Sequence, residues 1–228
     1  MTRVFLLALG AFAIMASAIC LLVLVPAAML NDVQAPAQLQ PYTERQQLGR
    51  AIYIREGCLY CHSQQVRDPA YNTDVDSGWG NRPTVPADYV YDRPHLLGTM
   101  RTGPDLINVG QRLPSEEWHL IHLYDPRALN EWSIMPKFTY LFEEKRPEEV
   151  LNSDRIVKIP GPRAPKGVVV VATPEAIALV DYLISLKRTY PVSDSAQAKE
   201  RMVGAASAPT APAPAARSLA IGATDGRR

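Results

Sequence analysis

Residues 58–62 read Cys-Leu-Tyr-Cys-His. Two thiols separated by two residues fit on one turn of chain. They can add to the two vinyl groups at one edge of a porphyrin, and the next residue, a histidine, is then held under the iron. Cys-x-x-Cys-His is the attachment pattern of a c-type haem. A redox dithiol shares the two cysteines but does not require His62. A structural zinc site needs four ligands, and no second Cys/His pair follows. The sequence has three cysteines. With thioethers on Cys58 and Cys61, only Cys20 remains, so no disulfide can form within the chain. The reading is one covalently attached haem c with His62 as an axial ligand to iron.

The second axial ligand must come from elsewhere. Met100, Met135, Met202, His95, His119 and His122 are the candidates. Met202 lies in the tail. Met100 precedes Arg101-Thr102-Gly103-Pro104. In cytochromes c a Gly-Pro turn lies on the histidine side, where the proline carbonyl accepts the imidazole's other N–H and fixes the ring. Pro104 suits that task, which puts Met100 on the wrong face. Met135 is followed by Pro136, which stiffens a loop that has to hold a weak thioether bond, so Met135 is the expected ligand. Its ordinary alternative is core packing. Arg101 suits a haem propionate, against a plain surface salt bridge.

His119 and His122 stand three apart on an expected helix, a spacing that can bind metal. No further ligand is evident, so they read as surface or supporting residues. Trp79, Trp118 and Trp132 read as core or haem-packing groups. His/Met ligation fills both axial positions, and methionine raises the reduction potential. Such a site passes single electrons and does no bond chemistry.

The elements around these residues can be read from caps and periodicity. Thr43, with Gln46 three residues later, is a capping-box start for a helix. Leu48, Ile52 and Arg55/Glu56 mark its turns, Gly49 allows a close helix crossing, and Gly57 ends it just before Cys58. Residues 63–94 form a long loop rich in Pro, Gly, Asn and Asp, a length usually reserved for function. Residues 102–106 turn into a short helix. Ser115 caps a helix through Leu123 that Asp125-Pro126 ends. Residues 143–149 are charged and solvated, and residues 156–173 suggest a small β-hairpin insertion around Val168–Val171. Thr173-Pro174 starts an amphipathic helix, in which Tyr182 could meet Gly49. From about Pro191 the Ala/Pro/Ser composition predicts disorder.

Val4 to Val25 holds no charged residue. As a helix this stretch spans about 33 Å, against a bilayer core of about 30 Å. A cleaved signal peptide has a shorter apolar region; Ala16-Ser17-Ala18 could end one, but apolar sequence continues past it. A retained anchor is the better reading. Arg3 precedes the span and Arg45 is the next basic residue, so the N-terminus is expected in the cytoplasm and the rest outside. Net charge is +1, which points away from nucleic-acid binding.

Helix, Cys-x-x-Cys-His, loops, helix, Met loop and terminal helix is the order of a single-haem cytochrome c domain. The expected fold is therefore mainly α: residues 1–30 a transmembrane anchor, 31–42 a linker, 43–190 a class I-like mono-haem cytochrome c domain with the β-hairpin insertion, and 191–228 a disordered tail. More narrowly, the chain resembles the membrane-anchored mono-haem cytochrome c subunit (subunit II, the O subunit) of cbb3-type cytochrome c oxidases. The likeness rests on residues 49–58 (Gly-Arg-Ala-Ile-Tyr-Ile-Arg-Glu-Gly-Cys), Cys61-His62-Ser63-Gln64, Arg101–Leu106 and Ser133-Ile134-Met135-Pro136, together with the anchor.

The resemblance implies thioethers at Cys58 and Cys61 and axial ligation by His62 and Met135. It implies a place in the bacterial inner membrane beside a catalytic haem-copper subunit and a di-haem cytochrome c subunit. The role it implies is relay of electrons from a donor toward dioxygen. The alternatives are the cytochrome c subunit of a nitric oxide reductase and a free membrane-tethered shuttle. A haem enzyme or gas sensor would need an open sixth position.

Overall fold

The computed structural model describes residues 2–31, 33–98 and 100–192. Most of the tail expected to be disordered, with Met202, lies outside the described residues. The apolar N-terminal stretch forms one helix of 30 residues, Thr2–Asn31. It comprises α1 (Thr2–Ile19), a π-helical turn (Cys20–Leu24) and α2 (Val25–Asn31). Pro26 has no N–H to give to the carbonyl four residues back, and the helix widens just before it. Every residue from Thr2 to Asn31 is exposed, and none of the described residues covers this apolar surface. The helix is long and apolar enough to span a membrane.

Helix α3 (Glu44–Arg55) starts where its caps dictate. Thr43 Oγ1 accepts from the Gln46 amide at 3.3 Å, and Gln46 Oε1 accepts from the Thr43 amide at 3.0 Å. Gly57, with φ of 72°, takes the left-handed conformation that stops the helix and turns the chain into Cys58. Helix α6 (Pro174–Ser185) begins on the Thr173 side chain, which accepts from Ala176 N at 3.3 Å. These two helices cross at Gly49. A Cβ there would overlap the Ala178 carbonyl and crowd Tyr182 Cβ, so only glycine allows this approach. Ile52 and Tyr53 from α3 meet Ala178, Leu179 and Tyr182 from α6, all fully buried. The Tyr182 ring stands edge-on to Tyr53 and Tyr42, with centroids at 5.6 and 5.5 Å. Each large apolar side chain so buried contributes about 1.5–3 kcal/mol. Leu48, which marks a turn of the helix, points outward at 50% exposure; Gly49, Ile52 and Tyr53 define the buried stripe.

Two short helices complete the helical layer: α4 (Val109–Arg112) and α5 (Glu116–Tyr124). Gly110 brings α4 against the backbone of Ile184. Ser115 caps α5 by accepting from Trp118 N at 3.2 Å. The long loop after the haem motif packs on its own small core of Val66, Tyr89 and Ile107. A paired Arg82–Asp88 contact, with both bonds at 2.8 Å, braces it.

The expected hairpin is part of a three-stranded antiparallel sheet in the order β1-β3-β2. Strand β3 (Val169–Ala172) lies between β2 (Arg155–Val157) and β1 (Phe142–Lys145). Its register pairs Val171 with Glu143 on one side and with Ile156 on the other. The strand β1 lies where the sequence suggested a merely solvated charged segment. Glu143 and Glu144 are indeed exposed, but Phe142 is buried and anchors an edge strand. The body is thus mainly helical with this small sheet at one place in the chain.

Candidate functional site

Cys58 to Tyr60 form one tight 3-10 turn directly after Gly57. The His62 amide donates to the Cys58 carbonyl at 3.0 Å, which keeps both cysteines and the histidine on one compact loop. The next segment is stitched to the Gly-Pro turn. Gly103 N donates to Cys61 O at 3.0 Å, and Leu106 N donates to Ser63 O at 2.9 Å. Asp105 locks the same junction: its carboxylate accepts from Ser63 Oγ at 2.6 Å and from the amides of Gln65 and Ile107 at 2.7 and 2.9 Å. Burial raises the Asp105 pKa against the pull of these donors.

This junction aims the His62 ring. Nδ1 lies 2.7 Å from the Pro104 carbonyl oxygen. A carbonyl can only accept, so Nδ1 carries the proton and Nε2 keeps a free lone pair. Gly103 lies against the face of the ring, where a Cβ would overlap Cε1. Burial lowers the His62 pKa, and the Pro104 bond opposes that shift only in part. A neutral imidazole with one nitrogen tied and the other free is the form that ligates a metal.

The two cysteines differ. Cys61 is exposed and Cys58 is half-buried. Burial, followed by the nearby Glu56 carboxylate, pushes the Cys58 thiol up to about 12. A raised, half-buried Cys58 is not the reactive thiolate of a redox dithiol. Among the described residues, no group of three or more His, Cys, Asp and Glu side chains could hold a free metal ion. The donor set therefore fits a group that brings its own equatorial ligands, as a porphyrin does.

Met135 is half-buried and packs on the main core, as Cys58, Leu59, Leu106 and Leu113 also do. Its amide donates to Ser133 Oγ at 3.3 Å. Met100 is exposed. Arg101 spends its three nitrogens on protein groups: Nε on Ser63 Oγ at 2.7 Å, Nη1 on Asp74 and Nη2 on the Gln65 carbonyl. Its guanidinium also lies over the Trp79 ring, 5.0 Å from the centroid. Of the other tryptophans, Trp118 stacks on His122, whereas Trp132 is 86% exposed and packs no core. His95 is exposed and stands edge-on to Tyr89.

Sequence reasoning missed Gly103 as a contact of the ring and Arg112 and His122 as its electrostatic neighbours. Arg112 opposes protonation of His62, and His62 in turn opposes protonation of His122. The i,i+3 spacing with His119 marks His122 but not its neighbour His62, and no local pattern marks Arg112, because the three residues come from separate segments of the chain.

The family described as cytochrome c oxidase, mono-heme subunit/FixO, matches residues 2–161. The matched stretch takes in the apolar helix, the Cys58–His62 turn, the Gly103-Pro104 turn and the Met135 loop, and it ends before β3 and α6. No curated protein matches the chain.

Proposed function

The chain belongs to the FixO family of mono-haem cytochrome c oxidase subunits, and from that premise we propose that it relays single electrons within a cbb3-type oxidase. One observation carries the reading. The His62 imidazole is fixed through Nδ1 to Pro104, backed by Gly103 and left with a free Nε2, on the same turn as two cysteines.

In this proposal residues 43–190 are a class I-like cytochrome c domain. Cys58 and Cys61 would hold a haem c through thioether bonds, and His62 Nε2 and Met135 Sδ would hold its iron. When bound, the haem supplies a one-electron iron couple whose potential a methionine ligand raises. Met135 would keep dioxygen and other small ligands from that iron. Pro104 holds the His62 ring in one tautomer and one orientation, so little has to rearrange when an electron passes. Residues 1–30 anchor the domain in the membrane. The single basic residue before the span, Arg3, favours a cytoplasmic N-terminus and places the haem domain on the outer side. Residues 31–42 act as the linker.

As a cytochrome c oxidase subunit the chain works with other oxidase subunits. We take these to be a catalytic haem-copper subunit and a di-haem cytochrome c subunit. The test is purification from native membranes through a tag on this chain. Cyanide-sensitive oxygen uptake with co-purifying b-type haems is the expected result. Turnover of nitric oxide without oxygen uptake would move the chain to a reductase. Recovery of the chain alone, with one haem and no activity, would make it a tethered shuttle.

A further inference from the structure

Asp125, just after α5, carries a carboxylate that the body has almost closed over, at 1% exposure. Its backbone is fixed on both sides. The Asp125 amide donates to the Ile121 carbonyl at 2.9 Å, and the Asp125 carbonyl accepts from Ala128 N at 2.9 Å. Oδ1 accepts from the Arg127 amide at 3.1 Å. Oδ2 faces two cations: Lys137 Nζ at 2.7 Å and Arg163 Nη1 at 3.7 Å. These reach the same oxygen from different parts of the chain. Lys137 is the second residue after Met135. Arg163 ends the tight turn Gly161–Arg163 between β2 and β3.

An ion pair between two exposed side chains opens freely and contributes little. This one differs, because one partner is buried and rigidly held. A buried carboxylate that loses its cation keeps the cost of its lost water with nothing to offset it. The charge of Asp125 therefore draws Lys137 inward, and the chain on either side of Lys137 follows. Phe138 N donates to the Leu123 carbonyl at 2.9 Å, so residues 137 and 138 are both tied back to the end of α5. Upstream, the hydrogen bonds of Trp132, Ser133 and Met135 go to Asn130 and Ser133, within the loop itself. Pro136, between the two parts, has no N–H with which to be fixed. The thioether of Met135 thus takes its position from the anchor that follows it. Arg163 brings the small sheet to the same anchor, and it lies past residues 2–161, the stretch that the family matches.

We propose that Asp125 is the positioning residue for the sulfur ligand: through Lys137 it holds Met135 toward the iron, with Arg163 as a second, weaker cation on the same oxygen. This rests on the reading of His62 and Met135 given under the proposed function. Without the Asp125–Lys137 pair the loop is free at its firm end, and Met135 leaves the iron for part of the time. Cys58, Cys61 and His62 are held by other contacts and are unaffected.

The test uses the complete chain in its membrane complex, with D125N, K137M, K137R and R163Q. Three readouts are compared with wild type: covalent haem staining, the sulfur-to-iron charge-transfer band of the oxidised c-type haem, and carbon monoxide binding followed at the c-type absorption after reduction. D125N and K137M should keep the stain, weaken the band several-fold and let carbon monoxide bind. K137R, which keeps the cation, should restore both toward wild type. R163Q, whose cation stands farther from the carboxylate, should change them less than K137M does. In a Met135→Leu background K137M should add nothing, because the ligand it positions is already gone. The Lys137 side chain is 46% exposed, so K137M leaves the core in place and decides the matter where D125N fails to assemble. A K137M chain with the wild-type band and no carbon monoxide binding would overturn the proposal. Further carbon monoxide binding from K137M in the Met135→Leu background would also overturn it, by placing the action of Lys137 elsewhere. A wild-type chain with covalent haem but no band would instead overturn the Met135 ligation beneath it, and one without covalent haem the functional reading itself.

Discussion

The two sides of the proposed haem site are built differently. On the His62 side, hydrogen bonds between distant parts of the chain hold the ligand. Residues 61–65 are tied to residues 97–107 through the Gln64–Leu97, Gly103–Cys61 and Leu106–Ser63 backbone bonds and through the Asp105 carboxylate. On the Met135 side, the bonds are local. Ser133 N donates to Asn130 O at 3.0 Å, Met135 N to Ser133 Oγ, and Trp132 and Ile134 are exposed on either side. Longer ties come only at the end of the loop, where Lys137 Nζ pairs with Asp125 Oδ2 at 2.7 Å and Phe138 N donates to Leu123 O at 2.9 Å. The imidazole of the proposed ligand pair is thus preset by the fold, whereas the proposed thioether rests on a short loop stiffened by Pro136. Changes on the first side should prevent assembly, and changes on the second should alter the site while leaving the body intact.

Gly103→Ala should have the largest effect. Its methyl group would overlap the His62 ring, and either the ring or the Gly-Pro turn must move. Covalent haem staining of membranes should be lost or nearly so; normal staining would mean that the contact does not position the ligand. Met135→Leu comes next. Haem should stay attached and the fold unchanged, but the reduced haem should bind carbon monoxide. A spectrum insensitive to carbon monoxide would remove Met135 from the iron and collapse the contrast between the two sides.

Gly49→Ala tests the scaffold beneath both sides. Its methyl group has no room against Ala178 and Tyr182, and overpacking of this kind costs about 1–3 kcal/mol. Denaturation of the purified chain should show that loss while the haem spectrum is kept. An unchanged midpoint would show that the crossing has slack.

The smallest effect is at the surface. Arg55 Nη2 meets Glu175 Oε2 at 2.9 Å and links α3 to the first turn of α6. The ion pair lowers the Glu175 pKa. A depressed carboxylate stabilises the fold above its unfolded pKa, and that contribution is lost as pH falls through the folded one. Glu175→Gln should therefore be slightly less stable at neutral pH, and the difference should vanish in acid. A gap that persists in acid would mean that packing, not charge, links the helices there.

Local chemistry made much of the fold legible. Thr43 with Gln46, Ser115, Thr173 with Pro174, and Gly57 mark helix ends at the places where the structure has them. The approach of Gly49 to Tyr182 could be read from one small residue in an expected helix. The Val-rich run announced β3, but β1 was hidden because its glutamates face water and only Phe142 turns inward. Leu48 and Trp132 look like core residues by type and are exposed by placement. In the site, the cysteines, His62 and its contact with Pro104 could be read from spacing and turn chemistry. The surroundings of Arg101, Arg112 and His122 could not. How each arginine is engaged depends on partners that sequence spacing does not show, such as Asp74 for Arg101 and the Asp105 carbonyl for Arg112.

The most direct test of the central claim is the intact mass of the chain isolated from membranes under denaturing conditions. With Cys58 and Cys61 as thioether sites, the polypeptide should carry the added mass of one haem, and Cys58→Ala with Cys61→Ala should remove it. A wild-type chain at its unmodified mass, with both thiols free to react, would contradict the account.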